Sequence, residues 1–251
     1  SDVCSSDLFI IQEHHLSSRN SIGVIITCKF TCSRYKNRKF IYKTLIIVFA
    51  FQMLSCHTLF KEKWTKEKAP EYFKATFETT KGNFEIEARR VWSPYAVDRL
   101  YQLINKGYYT DIAIFRVIPN FVAQFGIHND STLTNAWKKS KVLDEPVVES
   151  NLKGTISFAR STPGTRTNQI FINLKDNTQL DTHYSKKVKG FPVVAKVIKG
   201  MNVVESFYNG YGSEFDNKQD SIHDLGNMYL KKNYPKLDYI IKAYITDKKK
   251  N

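Results

Sequence analysis

The sequence predicts a mainly β domain, organised as a β-barrel, that begins near residue 72. Short runs of apolar or alternating residues recur along the chain, and turn residues separate them. Only a few stretches show the spacing of an amphipathic helix. Many short strands with few helices are typical of barrel folds.

The domain opens with a predicted hairpin followed by a helix. Residues 75–80 and 83–88 alternate apolar and polar side chains around a Lys-Gly turn, which favours two paired strands. Ser93 and Pro94 then form a helix start signal, and apolar residues recur at helical spacing until Gly107. This order predicts strand, strand, helix.

The rest of the domain predicts further short strands and two more helices. The apolar runs that predict strands are residues 112–118, 122–125, 154–159, 169–174 and 193–198. A short helix is expected at 201–207, and Ile222, Leu225 and Met228 suggest an amphipathic helix near the C-terminus. A last strand is predicted at 238–245, followed by a solvated tail at 248–251, and nothing indicates a repeat or a second core.

The charge of the chain does not favour a nucleic-acid-binding protein. The formal net charge is +14, but residues 69–251 hold 27 Lys and Arg against 19 Asp and Glu, a net charge of +8. The basic residues are interspersed with acidic ones, whereas nucleic-acid binders usually gather them into a patch or stripe. The hypothesis that the protein binds nucleic acid or an anionic membrane therefore rests on its net charge alone. No nucleic-acid partner is expected.

The cysteines and histidines disfavour disulfide, thiol and metal chemistry in the domain. All four cysteines, Cys4, Cys28, Cys32 and Cys56, precede it, and no Cys or His pair follows at zinc-site spacing. No metal and no cofactor are therefore expected.

The N-terminal region predicts an exported, lipid-anchored protein. Residues 1–33 contain no methionine and are expected to be an artefact or a non-native extension. Residues 34–56 contain a basic stretch and then ten mostly apolar residues, too few at ~1.5 Å each to cross a ~30 Å hydrocarbon core. This pattern is that of a signal peptide, and its end, Met-Leu-Ser-Cys56, resembles a loose lipobox. The alternative is a buried strand or helix with an incidental cysteine.

These features set the expected organisation and location. Cys56 is the predicted site of acylation, residues 57–71 are predicted to be a tether, and residues 72–251 are predicted to be the functional domain. The protein is expected in the periplasm or on the outer membrane, held through its lipid anchor, as a monomer.

One arginine lies within the most informative stretch, FRVIPNFVAQFG at residues 115–126. Arg116 falls among apolar neighbours, where an arginine is usually exposed on the outer face or paired with a carboxylate. Further blocks follow in order: GTISFAR at 154–160, TNQIFI at 167–172, GFPVVAKV at 190–197 and GMNVV at 200–204.

Together these blocks resemble the cyclophilins, a family of peptidyl-prolyl cis-trans isomerases, over roughly residues 73–211. The resemblance implies a closed eight-stranded antiparallel β-barrel capped by two α-helices, with a proline-binding groove on its outer face. The residues beyond, including a short extra C-terminal helix, resemble an extension of some bacterial members.

The resemblance also implies a role for each matching residue. Arg116 matches the catalytic arginine, and two glutamines match the groups that position it and the substrate backbone. The residues implied for catalysis are Arg116, Gln124 and Phe121, and those implied for substrate binding are Val122, Ala159, Arg160, Gln169, Phe171, Leu180 and Phe191.

This chain departs from the family pattern at several groove positions. Val122 replaces a frequent methionine, Gln179 a frequent tryptophan that contributes to binding cyclosporin, and Phe191 a histidine of animal members. Asn120 replaces a glycine, and asparagine tolerates unusual backbone angles better than most residues. The departures bear on substrate preference and drug sensitivity more than on basic activity.

Two function classes follow from these observations. The leading hypothesis is an isomerase that accelerates proline-limited folding of exported client polypeptides. The alternative is a non-catalytic module that binds proline-containing peptides as a chaperone or scaffold.

Overall fold

A long β-hairpin forms one side of the domain, as the alternating segments predicted. Strands β1 (Tyr72–Thr79) and β2 (Gly82–Arg89) pair antiparallel along their whole length. Phe77 and Phe84 lie opposite each other, and their rings stack with centroids 4.9 Å apart in the core. The polar residues between the apolar ones face outward, so the alternation fixes which face of the hairpin is buried.

The computed structural model describes residues 60–249 of the chain. The predicted artefact (1–33), the signal peptide (34–56) and the lipidation site Cys56 lie outside these residues. After the hairpin, the described elements in chain order are α1 (Pro94–Asn105), β3 (Ile112–Ala113), β4 (Arg116–Ile118), β5 (Val122–Phe125), α2 (Ser131–Lys139), β6 (Thr155–Phe158), β7 (Ile170–Asn173), α3 (Gln179–Thr182), β8 (Tyr184–Ser185), β9 (Val188–Lys189), β10 (Val193–Lys199), α4 (Met201–Glu205), α5 (Gln219–Asn233) and β11 (Tyr239–Lys249).

Nine of the described strands form one antiparallel sheet, and β8 and β9 form a separate two-stranded ribbon. The order in the large sheet is β3-β11-β1-β2-β10-β6-β7-β5-β4. No described ladder joins β3 to β4, so the expected closed eight-stranded barrel is not confirmed. These two end strands are nevertheless separated in the chain only by Ile114 and Phe115. Because two residues span so short a distance, the sheet must curl until its ends approach each other.

Most predicted strands and the first helix are confirmed, with shifts at their ends. The run at 112–118 divides into β3 and β4, and the last strand continues to Lys249. Lys248 and Lys249, the first two residues of the predicted solvated tail at 248–251, are exposed as predicted but belong to the strand. Helix α2 was not predicted, although Asp130 caps it by accepting hydrogen bonds from the backbone N–H groups of Thr132 and Leu133.

The C-terminal helix α5 exists, but its buried face differs from the predicted one. Gly226 has non-helical angles (φ 62°, ψ −161°) and kinks the helix. Leu225 and Met228 are therefore exposed, whereas Ile222 and Leu230 are buried. The helix spans 15 residues, so it is longer than the short extra helix that was expected.

The described part of the predicted tether packs against the domain. A 3-10 helix, Glu62–Lys66, lies there. Phe60 contacts Trp137 edge to face at 5.2 Å between ring centroids, and the side chain of Gln102 donates hydrogen bonds to two carbonyl oxygens of the segment. The domain boundaries at residues 57–71 and 72–251 themselves stay predictions. Within residues 60–249, no helix combines the length and the apolar character that crossing a membrane would need.

Helix α1 is capped from a distant loop rather than by its own first residue. Ser93 precedes the helix, but its hydroxyl donates to the carboxylate of Glu145. That carboxylate accepts hydrogen bonds from the backbone N–H groups of Tyr95 (2.7 Å) and Ala96 (3.2 Å). It also pairs at 3.1 Å with Arg166, whose side chain is 1% exposed. The Glu145 carboxylate thus accepts hydrogen bonds from the first N–H groups of α1 and also pairs with the buried Arg166, which lies in the segment before β7.

Replacing Glu145 should destabilise the domain strongly. Glu145→Ala would leave a buried guanidinium without its closest carboxylate and free the N–H groups of α1. We expect the free energy of unfolding to fall by about 3 kcal/mol. Denaturant unfolding followed by tryptophan fluorescence measures this change. Glu149→Ala, at an exposed position in the same loop, is the control, and equal effects of the two substitutions would contradict the assignment.

Candidate active site

The strand register places three of the predicted site residues in one row. Arg116 of β4 lies opposite Gln124 of β5, which in turn lies opposite Phe171 of β7. Successive side chains of a strand point to opposite faces of the sheet. The neighbouring row, Val117, Ala123 and Ile172, belongs to the main hydrophobic core. The row with the arginine therefore faces away from that core.

A chain of polar contacts joins the arginine to both glutamines. Arg116 Nη1 donates to Gln124 Oε1 at 3.3 Å, and Gln124 Nε2 donates to Gln169 Oε1 at 2.9 Å. The side chain of Arg116 is only 16% exposed, and Gln124 is buried. The guanidinium is consequently held in one orientation in a partly desolvated place, where its charge acts more strongly than in water.

Apolar side chains line the surface beside the guanidinium. Arg116 Cζ lies 5.8 Å from the ring centroid of Phe121. Val122 and Phe171 are buried, and the rings of Phe171 and Phe191 meet edge to face at 5.7 Å. Aromatic and aliphatic walls of this kind suit the ring of a proline.

Hydrogen bonds support Leu180 and Phe191 on the far side of this apolar surface. The backbone N–H of Phe191 donates to the carbonyl of Leu180 at 3.0 Å, and the Asn151 side chain donates to the carbonyl of Phe191 at 2.8 Å. Burial alone would raise the pKa of Asp181, but hydrogen bonds from Ser150 and Asn151 outweigh it and lower that pKa. Asp181 is therefore a carboxylate at neutral pH, and it keeps the wall in place.

Ala159 and Arg160 border the other side of the polar network. The backbone N–H of Ala159 donates to the carbonyl of Gln169 at 2.9 Å. The guanidinium of Arg160 donates to the carbonyl of Gly190 at 2.7 Å and lies 4.6 Å from the Phe191 ring centroid. The side chain of Arg160 therefore holds the loop that leads into Phe191. A cavity of about 390 Å³ opens here, lined by residues that include Gln124, Ala159, Arg160, Gln169 and Gln219.

Two residues of the site were not predicted from the sequence. Asp216 lies in a 3-10 helix, Glu214–Asn217, and its Oδ1 is 2.6 Å from Arg116 Nε. Gln219, the first residue of α5, accepts a hydrogen bond from the side chain of Gln169 at 3.1 Å. The sequence carries no local signal for either contact, because the partners are distant in the chain.

The turn between β4 and β5 depends on an unusual backbone angle. Asn120 has φ 56°, in the left-handed region, as its replacement of a glycine suggested. The turn sets the register that places Arg116 opposite Gln124. Its backbone angle is therefore part of how the site is built.

Within residues 60–249, no group of three or more His, Cys, Asp and Glu side chains is placed to hold a metal ion. The site consists of a fixed guanidinium, two amides and an apolar surface on a curled antiparallel sheet. The fold and this site define a class of proteins that carry an apolar surface beside a fixed cation on a curled antiparallel sheet.

Comparison with known proteins agrees with this class. The family model described as cyclophilin type peptidyl-prolyl cis-trans isomerase/CLD matches residues 74–227. Peptidyl-prolyl cis-trans isomerase A of Dickeya dadantii is 34% identical over 134 residues, which cover 51% of this chain and 66% of that protein. The peptidyl-prolyl cis-trans isomerase of Acinetobacter baylyi is 35% identical over 138 residues, covering 52% of this chain and 69% of that protein. The aligned segment thus spans about two thirds of the length of these relatives.

A solved structure supports the fold. A cyclophilin type peptidyl-prolyl cis-trans isomerase of Cryptosporidium parvum superposes with a TM-score of 0.50 at 18% identity, covering 71% of this chain and 99% of that one. The chain belongs to the family of cyclophilin-type peptidyl-prolyl cis-trans isomerases. The roles given above to individual site residues stay predictions.

Substitution of Asn120 should separate backbone strain from side-chain effects. Asn120→Gly permits the left-handed angle freely, so we expect stability to stay the same or to rise slightly. Asn120→Ala forces that angle on an alanine and should lower the free energy of unfolding by about 1 kcal/mol. Thermal unfolding of both variants measures the difference. Equal stabilities would show that the turn does not depend on this angle.

Proposed function

We propose that this chain accelerates cis-trans rotation about X-Pro peptide bonds, with Arg116 stabilising the twisted amide. The observation that carries the proposal is the fixed guanidinium beside an apolar pocket, held by Gln124 and backed by Gln169. Membership of the isomerase family supports the reaction type.

The chemistry of the reaction suits a fixed cation. Resonance gives the peptide C–N bond partial double-bond character and a rotation barrier of ~18–20 kcal/mol. Rotation through the twisted state breaks this resonance and leaves a lone pair on the prolyl nitrogen. A guanidinium near that nitrogen favours the twisted state over both planar states, and only such differential stabilisation raises the rate. Each ~1.4 kcal/mol of it gives a tenfold acceleration.

The apolar pocket contributes in two ways. Phe121, Val122 and Phe171 would hold the proline ring still while the preceding carbonyl swings, with Leu180 and Phe191 closing the far side. The same side chains exclude water, which strengthens the interaction between the guanidinium and the reacting amide. The mechanism needs no nucleophile, metal or proton transfer.

The substrates that we propose are proline-containing segments of exported polypeptides. X-Pro bonds exchange unaided over tens to hundreds of seconds and limit the folding of many chains. The proposal of an exported location rests on the basic and apolar residues at 34–56 and on Cys56 as the acylated residue.

Replacement of Arg116 tests the mechanism. We expect Arg116→Ala in the full chain to lower kcat/KM on a short X-Pro peptide by about 100-fold, the scale of losing one preorganised donor. NMR exchange or a protease-coupled assay measures the rate, and circular dichroism checks the fold. Arg89→Ala, at an exposed arginine of β2, is the matched control.

Two results would contradict the proposal. Full activity of Arg116→Ala would remove the role of the arginine. A folded wild-type chain that binds X-Pro peptide without accelerating its exchange would favour the proline-peptide-binding module instead.

Replacement of Cys56 tests the lipid anchor. Cys56→Ser removes the thiol that would be acylated, so we expect the protein to move from the membrane fraction to the soluble fraction on cell fractionation. Cys28→Ser changes a cysteine outside the lipobox-like segment and should leave the partition unchanged. The same distribution for wild type and Cys56→Ser would refute the anchor.

A further inference from the structure

The polar network of the site ends at both sides on one short C-terminal segment. Asp216 contacts Arg116 at one end, and Gln219 contacts Gln169 at the other. Between them runs the sequence of contacts through Gln124. Asp216 and Gln219, only three positions apart, therefore contact the two ends of the network of Arg116, Gln124 and Gln169 on which the proposed function depends.

The contact between Asp216 and Arg116 is electrostatic. Arg116 Nε and Asp216 Oδ1 are 2.6 Å apart, yet the buried Nε–H forms no aligned hydrogen bond within the described residues. Gln124 accepts from Nη1, and Nη2 donates no hydrogen bond within residues 60–249. The carboxylate thus restrains the guanidinium from its Nε side without using all of its N–H groups.

A buried aromatic contact anchors the segment beside the arginine. Phe215 is fully buried, and its ring lies 6.3 Å from that of Phe115 and 4.5 Å from that of Tyr234. Phe115 directly precedes Arg116, as Phe215 directly precedes Asp216. The two segments therefore meet through two adjacent contacts, a buried pair of aromatic rings and an ion pair at the groove.

Further contacts fix the segment on its outer side. The carboxylate of Glu214 accepts hydrogen bonds from Lys218 Nζ at 2.7 Å and from the Tyr234 hydroxyl at 3.0 Å. Withdrawal of the whole segment from the arginine would break these contacts and expose Phe215. The anchoring therefore keeps the backbone of Asp216 beside Arg116.

We propose that Asp216 is a positioning residue for the reaction, and that Gln219 supports Gln169 in the same way. The inference rests on the proposed function of Arg116. A restrained guanidinium spends more of its time in the orientation that meets the prolyl nitrogen, and lost orientation lowers rates even where binding persists. Loss of this restraint should consequently lower kcat more than it changes KM.

Replacement of Asp216 in the full chain tests this role. We expect Asp216→Ala and Asp216→Asn to lower kcat by about three- to tenfold, with little change in KM, because misplacement affects the transition state more than binding. Asp216→Glu keeps the carboxylate and should recover part of the rate. Asp220→Asn removes the same charge from an exposed residue at the start of α5 and should leave the rate unchanged.

A side-chain NMR signal provides a second readout that does not depend on turnover. The Nε–H group of Arg116, identified by its loss in Arg116→Ala, is buried beside Asp216. We expect its resonance to shift or broaden in Asp216→Asn and to stay in place in Asp220→Asn. If the wild-type chain proves inactive, the proposed function fails, while this signal still decides whether Asp216 holds the arginine.

Two outcomes would overturn the inference. An unchanged Nε–H resonance in Asp216→Asn would show that the carboxylate does not restrain the guanidinium. A kcat that stays the same or rises in Asp216→Ala would show that the carboxylate is neutral or masks the arginine.

Discussion

The antiparallel register of β4, β5 and β7 is the constraint on which the site depends. Because side chains alternate along each strand, the register that buries Val117, Ala123 and Ile172 in the core also sets Arg116, Gln124 and Phe171 side by side on the other face. A slip by one residue would exchange the two rows and bury a guanidinium among apolar side chains. Burial of the core therefore selects the same register that assembles the groove.

Partly buried polar contacts hold the parts of the site that lie outside the large sheet. The loop that carries Leu180 and Phe191 has no place in the large sheet, and it is held through Asp181, Asn151 and the clamp of Arg160 on Gly190. Such contacts are costly when a single partner is missing, since a buried polar group then stays unsatisfied. The segments that carry Leu180 and Phe191 are consequently held in place, although they lie outside the large sheet.

The sequence predicted the local part of this structure and missed the part that depends on distant contacts. Alternation sufficed for β1 and β2, whereas the roles that the family motifs assign to the groove residues stay predictions. The face of α5 was wrong, because Gly226 interrupts the helical period on which the prediction relied. Asp216 was missed because its role depends on Phe215 meeting Phe115, a contact that no pattern within a short window encodes. The number of strands was also not predicted correctly, because residues 112–118 look like a single apolar run in the sequence but form two strands.

The ion pair of Arg116 raises the question of how a paired arginine acts on a substrate. Of the two alternatives for an arginine among apolar neighbours, exposure or pairing with a carboxylate, the structure shows the pairing. The side chain of Asp216 is 44% exposed, whereas that of Arg116 is 16% exposed. Water therefore screens the field of the carboxylate more than that of the guanidinium, because solvent raises the effective dielectric around exposed charges. In the proposed reaction, the positive charge would therefore predominate on the groove side, where apolar side chains and the bound substrate exclude water. The carboxylate can thus fix the direction of the guanidinium while cancelling only part of its effect on a bound amide.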